Sequence, residues 1–119
     1  MKPKLKPAMK LTISVGEDER LAHHPLYREV VLALHKAGIV GATLTKGVMS
    51  YGVQRRLHTT KNEIQMENLP IIIEAVDERV KVESAAALIA EMLGEHGLVE
   101  IQPTMVVGNQ QGEQERREG

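Results

Sequence analysis

The sequence predicts an α+β domain, a four-stranded antiparallel sheet with two helices on one face. Three observations predict it. Leu11, Ile13 and Val15 alternate with Thr12 and Ser14, the period of a half-buried strand. Two later segments carry apolar residues at helical spacing, and each is stopped by a glycine, Gly38 and Gly94. Between those segments Ile71-Ile72-Ile73 forms a run expected to be buried on both faces, as in a central strand. The resulting order, β-α-β-β-α-β, is the split βαβ pattern of ferredoxin-like sandwiches.

The elements follow in order. Residues 1–8 form a basic arm with Lys2, Lys4 and Lys6, kept extended by Pro3 and Pro7. The first strand ends at Gly16, and Glu17-Asp18-Glu19-Arg20 makes a charged turn. His23-His24-Pro25 precedes the first helix, with Pro25 at its first position. Leu26, Val30, Ala33, Leu34 and Ala37 give that helix its apolar face. The second strand spans roughly Ala42 to Met49. A polar loop follows over about 50–68, and Leu69–Val76 is the third strand, with Pro70 at its start. Asp77 is placed to cap the second helix, whose inner side carries Val82, Ala85, Ala86, Ile89, Met92 and Leu93. Leu98, Val99 and Ile101 open a fourth strand interrupted by Pro103, which suits an edge or a strand end. From Gly108 the chain turns polar, and residues 108–119 are expected to form a disordered tail.

Composition narrows the function classes. The 119 residues fit one domain. The chain has no cysteine, which fits a reducing compartment. It shows no signal-peptide pattern and no apolar run long enough to span a bilayer, so a cytoplasmic protein is expected. A net charge of −1 gives no global attraction to nucleic acid, and with no Phe or Trp there is little on which bases could stack.

The 50–68 loop holds the densest chemistry. Arg55, Arg56, His58 and Lys61 cluster there with Thr59 and Thr60, while Gly47 and Gly52 permit close backbone approach. Arginine forks suit phosphate oxygens, so the residues leave two readings open, a phosphate or nucleotide site and a solvated polar loop. His58 could instead brace the loop base. Neither a P-loop nor a dinucleotide fingerprint is present. His23-His24 is better taken as a surface turn than as a metal site, and Glu17-Asp18-Glu19 as a solvated turn.

Several motifs together resemble one family. Gly16-Glu17-Asp18-Glu19-Arg20 with Pro25-Leu26-Tyr27, then Ala37-Gly38-Ile39-Val40-Gly41-Ala42-Thr43, then Tyr51-Gly52, Leu57-His58-Thr59 and Leu69–Asp77, occur in that order. They resemble a family of small PII-like proteins long catalogued as a domain of unknown function. That family is similar in fold to the nitrogen-regulatory PII proteins and to the cation-tolerance protein CutA. Here Gln54-Arg55-Arg56 stands where members often carry small polar residues. The resemblance covers roughly residues 9–107, making that span the PII-like domain.

The resemblance implies a homotrimer with long loops near its subunit clefts. The reading it supports is a signalling protein that binds a small anionic effector, an adenine nucleotide, and switches the loop. The loop would engage a protein or membrane-transporter partner. The residues assigned to the effector are Lys46, Gly47, Gly52, Arg55, Arg56, His58, Thr59, Glu95 and His96. Glu95 and His96 enter because in PII relatives the same connection helps hold a nucleotide. No catalytic residue, resident metal or required cofactor is assigned. Two alternatives remain. One is a CutA-like metal-binding trimer. The other is an enzyme acting on a phosphorylated metabolite, with His58 as acid–base group and Arg55 and Arg56 as clamps.

Overall fold

A computed structural model describes residues 3–48, 50–53, 62–65 and 67–108. Its elements in chain order are β1 (Lys4–Gly16), β2 (Arg20–Leu21), β3 (His24–Pro25), α1 (Leu26–Lys36), β4 (Thr43–Lys46), β5 (Ser50–Val53), β6 (Asn62–Gln65), β7 (Pro70–Asp77), α2 (Arg79–Leu93) and β8 (Gly97–Gly108). The main sheet has the order β4-β7-β1-β8, and every neighbouring pair is antiparallel. Thus β4 runs parallel to β1 with β7 between them, and β8 runs parallel to β7 with β1 between them. This is the ferredoxin-like topology the sequence predicts.

Alternation decides which face is covered. In β1, Met9, Leu11, Ile13 and Val15 are buried, and the register sets them opposite Asp77, Ala75, Ile73 and Ile71 of β7. Leu26, Val30 and Leu34 of α1 and Val82, Ala85, Ile89 and Leu93 of α2 close the core over that face. Helix α2 lies on β1, β7 and β8, and α1 packs against α2 and β1. The opposite face mixes Ile72, Val76, Leu98 and Val106 with Thr12, Ser14, Glu100 and a Lys10–Glu74 ion pair of 3.0 Å. It is therefore less apolar than the three isoleucines suggest.

The helix ends follow from their glycines. Gly38 has φ +83°, and its N–H donates to the His35 carbonyl while Ile39 N–H donates to the Leu34 carbonyl. Those two bonds make a Schellman motif, completed by burial of Ile39 beside Leu34. Gly94 ends α2 at φ +54°.

Several expectations change, among them the place of Pro25, which is the N-cap of α1 and not its first helical residue. The arm residues 4–8 are extended, but they belong to β1 and pair with Thr104–Gly108, so the first strand is longer than its alternation alone indicates. Pro103 does not interrupt β8; it is accommodated because β8 is a sheet edge, as its missing N–H requires. The second strand is shorter, and part of the supposed loop is paired: β5 and β6 form a two-stranded antiparallel ribbon, Ser50 opposite Gln65 and Val53 opposite Asn62. Asp77 does not cap α2; the position belongs to Glu78, with no side-chain cap bond. Before α1, Ala22 (φ +49°) and His23 (φ +73°) form the two-residue turn of a small hairpin joining β2 to β3. Among the described residues no helix is long and apolar enough to cross a membrane.

Candidate functional site

One end of the main sheet gathers the ends of all four strands. β1 stops there at Gly16 and β4 at Lys46, while β7 starts at Pro70 and β8 at Gly97. The turn after β1 is their hub. Glu19 N–H donates to the Gly16 carbonyl at 3.1 Å, closing the turn. Glu17 N–H donates to the Leu69 carbonyl at 2.9 Å, and Asp18 N–H to Asn68 Oδ1 at 2.8 Å. Asn68 reaches it from a left-handed backbone conformation, φ +49°, which asparagine tolerates better than most residues. A Cβ on residue 16 would lie 2.3 Å from that Oδ1, so any larger residue there would displace the Asn68 amide and its bond to Asp18. Gly47 is held the same way: its N–H donates to the Pro70 carbonyl at 2.8 Å, and a Cβ would lie 2.9 Å from the Pro70 ring.

Two cationic or titratable side chains reach this turn from opposite sides. Lys46 Nζ lies 2.8 Å from Glu17 Oε2. The Glu17 carboxylate, as hydrogen-bond acceptor and as a charge, raises the Lys46 pKa above its ordinary value, with a smaller contribution from the Asp18 charge. His96 Nδ1 lies 3.6 Å from Glu19 Oε2, at the start of β8. Gly97 follows in close contact with β1, where a Cβ would come within 2.6 Å of the Ser14 carbonyl oxygen. The arrangement offers an ammonium, an imidazole and closely packed glycine backbone around one rigid turn. Such a set can bind an anion.

The structure therefore sets Lys46 against Glu17 and His96 against Glu19 of one turn, from the two edges of the sheet, with Gly47 and Glu95 next to them in sequence. Gly52 lies in β5, paired with Glu63. Arg55, Arg56, His58 and Thr59 lie outside the described residues. Glu17, Glu19 and Asn68 were missed as site residues, and the solvated-turn reading of Glu17-Asp18-Glu19 is corrected for Glu17 and Glu19, which pair with side chains from β4 and from the α2–β8 connection. The Gly16-Glu17-x-x-Arg20 motif was a sequence signal for Glu17 alone, since Glu19 falls on one of its variable positions and Asn68 outside it. Among the described residues no three His, Asp or Glu side chains are grouped as metal ligands would be.

At the far end of the sheet the Asp77 carboxylate joins the α1–β4 connection to the start of α2. Oδ1 accepts from Glu78 N–H at 2.7 Å and Oδ2 from Val40 N–H at 3.0 Å. Lys81 Nζ stands 3.8 Å from Oδ1 and donates to the Gly38 carbonyl at 3.1 Å. Burial acts to raise the Asp77 pKa, but the two N–H donors and the Lys81 charge outweigh it, and the net shift is downward.

Comparison with solved structures identifies the fold as PII-like. CPII of Thiomonas intermedia K12, a nitrogen regulatory PII-like protein, superposes in its apo form with a TM-score of 0.65 over 91% of this chain and all of its own, at 18% identity. The same protein bound to ADP, AMP and bicarbonate gives 0.62 over 87% of this chain and 98% of its own, at 22% identity. Bacillus subtilis GlnK in complex with ATP gives 0.55 over 84% and 83%, at 18% identity. Within that fold the chain belongs to the DUF190 family, described as uncharacterized ACR, whose model matches residues 8–106. It is similar to a UPF0166 protein of Methanocaldococcus jannaschii, 30% identical over 75% of this chain and 82% of that protein. A UPF0166 protein of Aquifex aeolicus is 26% identical over 82% of this chain and 90% of its own length.

Proposed function

We propose that this chain is a PII-like signalling protein that binds an adenine nucleotide as an anionic effector at the sheet end built on Gly16–Glu19. The observation that carries the reading is the convergence of Lys46 and His96 on that turn, beside the close-packed backbone of Gly47 and Gly97. The nucleotide-bound CPII and GlnK structures support the choice of ligand. Arg55, Arg56, His58 and Thr59, with Gly52, would complete the phosphate contacts from the segment between β4 and β7. Effector binding would switch that segment towards or away from a protein partner.

The working form in this reading is a homotrimer with effectors in its subunit clefts. It is supported by an apolar stripe along the β1–β8 ladder: Leu5, Ile101, Met105 and Val107 are all exposed and share one face. A second copy would remove that stripe from water. Light scattering tests the assembly, and a monomer persisting at micromolar concentration contradicts it. Titration calorimetry with ATP, ADP and AMP tests the effector. Saturable binding without product, weakened by Lys46→Gln, is the expected result. Nucleotide turnover would instead favour an enzyme, and absence of binding would refute the reading.

A further inference from the structure

Among the described residues, the lysine that reaches this turn is already engaged. Lys46 Nζ and Glu17 Oε2 are 2.8 Å apart, yet the lysine side chain remains 55% exposed. The carboxylate is not there by chance of a mobile side chain's backbone, because its turn is fixed by three bonds: Glu17 N–H to Leu69, Asp18 N–H to Asn68 and Glu19 N–H to Gly16. Lys46 for its part ends a strand paired to β7, and the next residue is pinned to Pro70. Two rigid supports thus hold an anion against the ammonium at hydrogen-bonding distance. An incoming phosphate needs the same ammonium.

We propose that Glu17 is a built-in competitor for Lys46, an internal anion that the effector must displace. The proposal rests on the effector site inferred above and adds how occupancy of that site is opposed. A lysine–carboxylate pair whose ammonium is exposed and whose carboxylate is only partly buried is weak, so the competitor sets a threshold without blocking the site. Its removal should tighten anion binding by about two- to fivefold. Asp18, exposed and one residue on, serves as the control. It carries the same charge near Lys46 without a contact to its ammonium, so it reports the general field alone.

The experiment is calorimetric titration of ADP, and separately of inorganic pyrophosphate, into wild type, Glu17→Gln and Asp18→Asn, each repeated with Lys46→Gln. The near-isosteric exchanges leave the backbone bonds of the turn in place, because those bonds run through the Glu17, Asp18 and Glu19 N–H groups. A gain in Glu17→Gln that exceeds the gain in Asp18→Asn, and that disappears when Lys46 is replaced, is the expected pattern. Equal gains in the two variants, a gain that survives Lys46→Gln, or no gain overturns the competitor while leaving nucleotide binding intact. Binding by Glu17→Gln but not by wild type upholds the competitor and overturns effector binding by the unmodified protein. No binding by any variant overturns both.

Discussion

Replacing Asp77 by alanine should destabilise the protein in a pH-dependent way. The carboxylate is only 8% exposed and accepts two backbone N–H groups, from Glu78 at 2.7 Å and Val40 at 3.0 Å. Hydrogen bonds to a charged acceptor contribute about 1.5–3 kcal/mol each when fully buried. Both donors belong to exposed residues that water can reach after truncation, so the pair together should be worth about 2 kcal/mol, less than the roughly 3 kcal/mol that two such bonds reach at the low end of that range. The Lys81 contact adds a few tenths at most, about 0.3 kcal/mol, because its ammonium is solvent-exposed and stands 3.8 Å away. With a urea slope of about 1.5 kcal/mol/M, the midpoint should fall by somewhat more than about 1 M. The folded pKa of Asp77 lies below the usual carboxylate range. Its contribution is therefore complete above the unfolded pKa, about 4, and is lost as pH falls through the folded value. Urea melts of both proteins at fixed chain concentration, from pH 7 down to pH 3, measure this. A gap between them that stays constant with pH, or no gap at pH 7, would refute the assignment of Asp77 as an ionised tie between α1–β4 and α2.

Gly97→Ala should destabilise by more than a helix or loop glycine would, about 1–3 kcal/mol, because its Cβ would meet the Ser14 carbonyl oxygen at 2.6 Å and backbone cannot swing aside; thermal melts would show it. Ala22→Asn combined with His23→Gly should stabilise by about 1 kcal/mol, since both positions hold positive φ and Asn-Gly suits that two-residue turn; an unchanged melting temperature would count against the turn assignment. Arg55→Ala and Arg56→Ala should each weaken nucleotide binding about tenfold to a hundredfold, with Arg→Lys restoring only part, because an ammonium cannot form the bidentate fork. Equal calorimetric affinities in wild type and both variants would remove the arginines from the site.

The fold was legible where local chemistry decides it. Alternation in Leu11–Val15 gives β1 its buried face, and Gly38 and Gly94 stop their helices through backbone conformations that sequence alone predicts. What sequence could not show depends on partners far along the chain. Asp77 looks like a cap because it stands just before a helix, but its second oxygen is claimed by Val40 from another element. Residues 4–8 look like a free arm until β8 pairs with them. The site divides in the same manner. Lys46, Gly47 and His96 were named, but through a family resemblance and not from a pattern that locates them together. Glu17 and Glu19 look solvated because their partners, Lys46 and His96, come from other elements that only the sheet brings to the turn. Asn68, an unremarkable loop residue in sequence, gains its role from its left-handed backbone and from the space left by Gly16.

Hydrogen exchange read by mass spectrometry, with and without saturating ADP, tests the effector site most directly. The Gly16–Glu19 end should gain protection as a unit, in peptides covering residues 14–20, 44–48 and 94–98, while the opposite end around Val40 and Asp77 stays unchanged. Protection confined to that opposite end, or no change anywhere at an ADP concentration that saturates calorimetric binding, would contradict the placement of the effector.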